Sequence, residues 1–194
     1  MSYAYLLNYT SDAGSGFERL RVDMAQTGFF EGREFRTFKE LNVANGATYV
    51  IKAVVPINII LFGLELTIDD GSARLSTAVG GAEGGTFSET LPIFGTNNMT
   101  SGPDHRRARN GSVYASQVAL TAGGTHTGGT ELDVIRLKTT NASGSAISVG
   151  NMPDSERGVG PNTYYFRLQN LGTGALLGTL KTRWEERPSG FFST

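Results

Sequence analysis

Cysteine is absent from all 194 residues, which removes disulfide frameworks, thiolate nucleophiles and cysteine-ligated zinc from consideration. Histidine occurs only as His105 and His126, too few to supply the three or four ligands of a zinc centre from one chain. Neither sign of charge is in surplus: 17 Lys+Arg against 18 Asp+Glu gives a net charge of -1. Nothing global therefore draws the chain to nucleic acid or an anionic membrane. The longest apolar run, residues 57–66, is interrupted by Asn58, Gly63 and Glu65, and it is too short and too polar to span a bilayer. No long stretch holds a 3.6-residue apolar period, so helices are not expected to build the body.

Catalytic signatures are missing as well. There is no Gly-x-Ser-x-Gly elbow, and the glycine-rich residues 80–85 lack the Lys-Ser/Thr ending of a phosphate loop. Asp69-Asp70-Gly71 lacks the alternating acids of a calcium loop and reads as a turn. Asp154-Ser155-Glu156 and Glu185-Glu186 are close carboxylate groupings, but neighbours on a strand point to opposite faces, so Glu185 and Glu186 are poor partners for a shared site. The residues point to a non-enzymatic structural or binding role, with no cofactor and no metal.

What the chain does have is glycine, 26 of them, punctuating short alternating stretches almost from end to end. After the turn signal Asn45-Gly46, the residues Ala47, Tyr49, Ile51, Ala53 and Val55 fall on one strand face, opposite Thr48 and Lys52. Pro56 ends that strand. Residues 57–68 read as a buried strand that turns at Asp69-Asp70-Gly71 into residues 72–79 as a hairpin, with Ala73, Leu75, Thr77 and Val79 sharing a face. Tyr164, Phe166 and Leu168 alternate likewise, and residues 175–184 supply a closing strand. About ten strands suffice for two stacked sheets. The expected fold is all-β, an antiparallel β-sandwich with long glycine-rich loops. Residues 1–43 form amino-terminal strands or an arm packed on the sandwich or on a partner, 44–187 the body, and 188–194 a tail.

Three groups of side chains are candidates for binding a partner. Arg106, Arg107 and Arg109 form the sharpest charge cluster, whose guanidinium forks suit acidic groups on a protein surface. Phe29 and Phe30 lie in an aromatic-rich, arginine-rich stretch. Phe191 and Phe192 sit on a Pro/Gly hinge at the carboxy-terminal end. Two adjacent phenylalanines there either fold back on their own core or plug a neighbouring subunit, because such a pair is costly to leave bare. His126, between two threonines in a glycine-rich loop, reads as a plain loop histidine.

The segments Ala44-Asn45-Gly46-Ala47-Thr48-Tyr49-Val50, Val54-Val55-Pro56-Ile57-Asn58-Ile59-Ile60-Leu61 and Asp70-Gly71-Ser72-Ala73-Arg74-Leu75 resemble virion structural proteins of tailed bacteriophages. So do residues 160–168, from Gly160-Pro161-Asn162 to Leu168, and the closing Trp184-Glu185. The resemblance lies in texture and spacing across residues 30–187. It implies a jelly-roll sandwich assembled on the particle, with capsid decoration or cement as its role. It further implies contact with the major capsid protein or other virion proteins, a homo-oligomer of trimeric type, and a virion location after synthesis in the host bacterial cytoplasm. Direct nucleic-acid or membrane contact is not expected. The alternatives are a tail, neck or fibre-associated component, including a receptor-binding head, and a carbohydrate-binding module or hydrolase.

Overall fold

The computed structural model describes residues 28, 32–96, 115–138, 147–149 and 157–187. Their elements are all strands: β1 (Glu34–Val43), β2 (Thr48–Val55), β3 (Asn58–Asp70), β4 (Ser72–Val79), β5 (Ala82–Gly84), β6 (Glu89–Thr90), β7 (Phe94–Gly95), β8 (Ala119–Ala122), β9 (Thr125–Thr127), β10 (Thr130–Lys138), β11 (Ile147–Val149), β12 (Arg157–Val159), β13 (Asn162–Asn170) and β14 (Leu176–Arg187). The first sheet runs β11-β3-β14-β1-β7, with β12 also on β3, and the second runs β10-β4-β13-β2-β8-β6. Every pairing is antiparallel.

The nesting of these pairs defines the fold. β1 lies beside β14, β2 beside β13, β3 beside β11 and β12, and β4 beside β10. The first four strands thus pair in reverse order with the last, and β1, β2, β3 and β4 alternate between the two sheets. This is a jelly roll: a long antiparallel ribbon rolled until its two halves stack as a sandwich. Residues 34–43 of the amino-terminal segment lie within the first sheet, between β14 and β7.

Alternation places the core as the sequence suggests. Ile51, Ala53 and Val55 from β2, Ala73 and Leu75 from β4 and Leu168 from β13 meet Phe35, Leu41, Leu66, Ile68, Leu180 and Trp184 from the opposing sheet. The expected β3–β4 hairpin does not form. β3 pairs with β14, β11 and β12 in one sheet, whereas β4 pairs with β10 and β13 in the other. Gly71, at φ 111°, is the corner where the chain crosses over. Leu66 and Ile68 before it and Ala73 and Leu75 after it are all buried, and a corner folded over the core buries both sets against one another. The crossing is tight, since a Cβ on Gly71 would lie 3.0 Å from Leu176 Cδ1.

Two further features bear on function. Residues 80–85 and 121–130 are not simply loops, because β5 and β9 pair as a separate ribbon. An irregular stretch at residues 115–118 precedes β8, which begins at Ala119.

Candidate functional site

At the end of the first sheet where β1 begins and β14 finishes, three carboxylates are buried: Glu34, Glu185 and Glu186. Glu34 and Glu185 are register partners on the outward side of the sheet. Arg183 Nη2 reaches Glu34 Oε2 at 2.5 Å, Arg33 Nη1 reaches Glu185 Oε1 at 3.1 Å, and Arg187 Nη2 reaches Glu185 Oε2 at 2.9 Å. Burial raises the pKa of Glu185 above the usual carboxylate value, Arg187 and Arg33 oppose the rise, and the Glu34 charge adds to it. Gly28 packs directly on this carboxylate, where a Cβ would overlap it.

Glu186 points the other way, into the sandwich. It accepts hydrogen bonds from Ser116 Oγ at 2.6 Å, Gln117 N at 3.0 Å, Val118 N at 3.3 Å and Trp184 Nε1 at 3.4 Å. That carboxylate therefore straps the chain entering β8 onto β14. Adjacent in sequence, Glu185 and Glu186 serve opposite faces, as strand geometry requires. Each is engaged by named donors that hold strand ends together.

On the outward face of the second sheet, the β5–β9 ribbon lies over β13 and β2. Glu83 accepts from the Tyr165 hydroxyl at 2.5 Å and from Lys52 Nζ at 2.9 Å. Lys52 and Tyr165 hold the Glu83 carboxyl below its ordinary range, Lys52 contributing most, and burial with the Glu83 bond pushes Tyr165 up to about 12. His126 is buried, stacked on the Tyr165 ring at 3.8 Å, with Nε2 2.6 Å from the Gly80 carbonyl. A carbonyl only accepts, so Nε2 carries the hydrogen. Nδ1 is buried with no hydrogen-bond partner among the described residues. The plain loop histidine is thus corrected to a packed ribbon residue, and Glu83 is its register partner from the other strand. Among the described residues no group of three or more His, Cys, Asp or Glu is placed to hold a metal.

The outward face of the first sheet differs, because no described element lies across it as the ribbon does across the second. Phe38 and Phe94 stack there with centroids 5.9 Å apart while remaining 46% and 41% exposed. β1 and β14 bring Arg36 beside Arg183 and Phe38 beside Lys181, and the Arg183 guanidinium lies 5.1 Å from the Phe62 ring centroid. The result is an apolar pair ringed by charge. Charged edges around exposed aromatic centres are a common anatomy of protein docking surfaces.

Between the sheets lies an apolar cavity of about 470 Å³, bounded by Ile59, Leu61, Val159, Trp184, Ala53 and Phe166 among others. Leu132 and Val134 of β10 border it and are 53% and 42% exposed. Two wall hydroxyls are engaged, Tyr164 donating to Gly160 O at 2.9 Å and Thr182 to Gly63 O at 3.0 Å, and Thr77 and Asp133 add polar groups to the lining.

Of the expected partner-binding residues, Arg106, Arg107, Arg109, Phe29, Phe30, Phe191 and Phe192 all lie outside the described residues. The Phe38–Phe94 pair was missed by sequence reasoning. Neither carried a clear signal: Phe35, Phe38 and Leu41 stand three apart, so no clean alternation marks Phe38 as outward, and Phe94 follows Leu91-Pro92-Ile93 in a stretch without a period. No protein-family profile, no curated protein and no solved structure matches this chain.

Proposed function

We propose that the protein is a non-enzymatic structural component of a phage virion, acting as a capsid decoration or cement protein that binds the major capsid protein as a homo-oligomer, with a trimer as the assembly. The observation that carries this reading is the outward face of the first sheet, where Phe38 and Phe94 stack in the open amid Arg36, Lys181 and Arg183. A jelly-roll body stacks its sheets face to face and leaves such a face available, and many copies on one particle turn weak contacts into firm attachment. The engagement of Glu34, Glu185 and Glu186 in strand-end bonds supports a structural role over a hydrolytic one.

The test is occupancy on the particle. Phage particles grown without the gene are incubated with wild-type protein or with the Phe38→Ala/Phe94→Ala variant, then purified and quantified by mass spectrometry. Wild-type protein is expected to bind in many copies per particle and the double variant in far fewer. Low wild-type copy number points to a tail, neck or fibre component, equal occupancy of both proteins removes this face from attachment, and glycan turnover by purified protein overturns the structural reading.

A further inference from the structure

Asparagine is a thermolabile residue, because the main-chain nitrogen of the residue that follows can attack its side-chain Cγ. A crowded or hydrogen-bonded nitrogen blocks that attack. The described residues include Asn42, Asn45, Asn58, Asn162 and Asn170, and four of these five are shut. Asn42, Asn58 and Asn162 precede Val43, Ile59 and Thr163, β-branched residues whose side chains crowd the nitrogen and which pair in the sheets with Leu176, Glu186 and Val54. Asn170 precedes Leu171, whose nitrogen donates to Ser72 O at 2.8 Å. Its own amide is spent on the Val43, Ala44 and Gly174 carbonyls.

Asn45 is open. It is exposed at the corner between β1 and β2, and it precedes Gly46, which has no side chain to obstruct the approach. The turn closes through Ala47 N donating to Ala44 O at 3.0 Å, a bond that leaves out Gly46 N. Gly46 holds φ at 69° in the third position of this turn, where glycine carries no steric cost. Among the described residues no atom lies within 4 Å of the place its Cβ would occupy.

We propose that Asn45-Gly46 is a self-modification site, at which the chain converts its own asparagine to isoaspartate and aspartate and so loosens the β1–β2 corner. The Gly46 N–Asn45 Cγ bond forms, the Asn45 Cγ–Nδ2 bond breaks, and ammonia leaves with the proton that Gly46 N gives up. Water then opens the cyclic imide. Opening at the main-chain carbonyl leaves isoaspartate, and opening at Cγ leaves aspartate. Isoaspartate adds one carbon to the main chain between Ala44 and Ala47, the two residues that Asn170 grips through Nδ2 to Ala44 O at 3.1 Å and N to Ala47 O at 2.9 Å. The proposal is independent of the virion reading.

The sequence has a second Asn-Gly pair, Asn110-Gly111, outside the described residues, so the test uses the full chain carrying Asn110→Gln. The folded protein is aged in mildly alkaline buffer, digested and mapped by fragment mass spectra, with isoaspartate counted by enzymatic methylation. Residue 45 is expected to exchange amide for acid, mostly as isoaspartate, while Asn42, Asn58, Asn162 and Asn170 keep their amides. Tm should fall by roughly 5 °C on ageing, and Asn45→Gln should remove that fall. Freshly made Asn45→Asp should melt with the unaged protein, because it carries the charge without the extra carbon. An Asn45 that keeps its amide overturns the proposal, and a synthetic peptide of residues 40–52 that loses its own under the same conditions shows the fold to be the block. Equal modification of the strand asparagines also overturns it, as does an unchanged Tm after residue 45 has converted or a full loss of Tm in Asn45→Asp.

Discussion

Asn170 carries more of the architecture than its sequence position suggests. It is buried, its Nδ2 donates to Val43 O at 2.8 Å, Ala44 O at 3.1 Å and Gly174 O at 2.8 Å, and its Oδ1 accepts from Gly172 N at 2.8 Å. One side chain thus fastens the β1–β2 corner to the β13–β14 turn. Asn170→Ala strands several of these backbone groups at once, and a loss of about 3 kcal/mol is expected, read as a lower urea midpoint at pH 7. Asn170→Asp should be no better, since a carboxylate offers those carbonyls no hydrogen. An unchanged midpoint for the alanine variant would show that water replaces the network. None of this was legible beforehand, because a polar residue closing the Thr163–Gln169 alternation reads as solvated turn chemistry. The buried Glu185 and Glu186 were equally opaque: their opposite orientation follows from strand geometry, but their burial depends on Arg33 and on residues 116–118, distant in sequence.

Among elements, the sheets are clamped to one another as well as packed. Lys39 of β1 and Tyr49 of β2 both meet Glu89 of β6, Lys39 through an ion pair and Tyr49 through a hydrogen bond of 2.7 Å. Lys39 first and Tyr49 second hold the Glu89 carboxyl below its ordinary range, against the opposing effect of burial. A folded pKa depressed below the unfolded value of about 4.3 stabilises the protein above that value, and the contribution is lost as pH falls through the folded one. Glu89→Gln should therefore be less stable than wild type at pH 7, with the gap in urea midpoint closing as pH falls below about 4. A gap that stays constant with pH would place the clamp in packing rather than charge. Strands were the legible part of this level: Ile51, Ala53 and Val55 of β2, Ala73 and Leu75 of β4 and Leu168 of β13 are buried on the faces their alternation marks, although Ser76, Ala78 and Tyr165 on the opposite faces are buried as well. Which strand each one meets was not, because period-2 patterns carry no record of the partner. The Asp69-Asp70-Gly71 turn serves a flat hairpin and a corner between sheets equally well, and only the demand that Leu66, Ile68, Ala73 and Leu75 share one core decides for the corner.

For the whole molecule, the nested pairing ties stability to the end of the chain. β14 lies between β3 and β1 in the first sheet and contributes Leu180 and Trp184 to the core. Its pairing with β1 joins residues near opposite ends of the described chain, Glu34 with Glu185 among them. Such contacts form only after a long loop has been closed, which makes sandwiches slow folders relative to helical bundles. Refolding followed by Trp184 emission should fall in the millisecond-to-second range. A chain ending at Leu171, which retains β2, β4 and β13 but lacks β14, should show no cooperative thermal transition, since the first sheet loses its centre and β1 loses its long partner. Microsecond refolding, or a cooperative melt in the shortened chain, would mean that the second sheet folds by itself and that the jelly-roll closure adds little to stability.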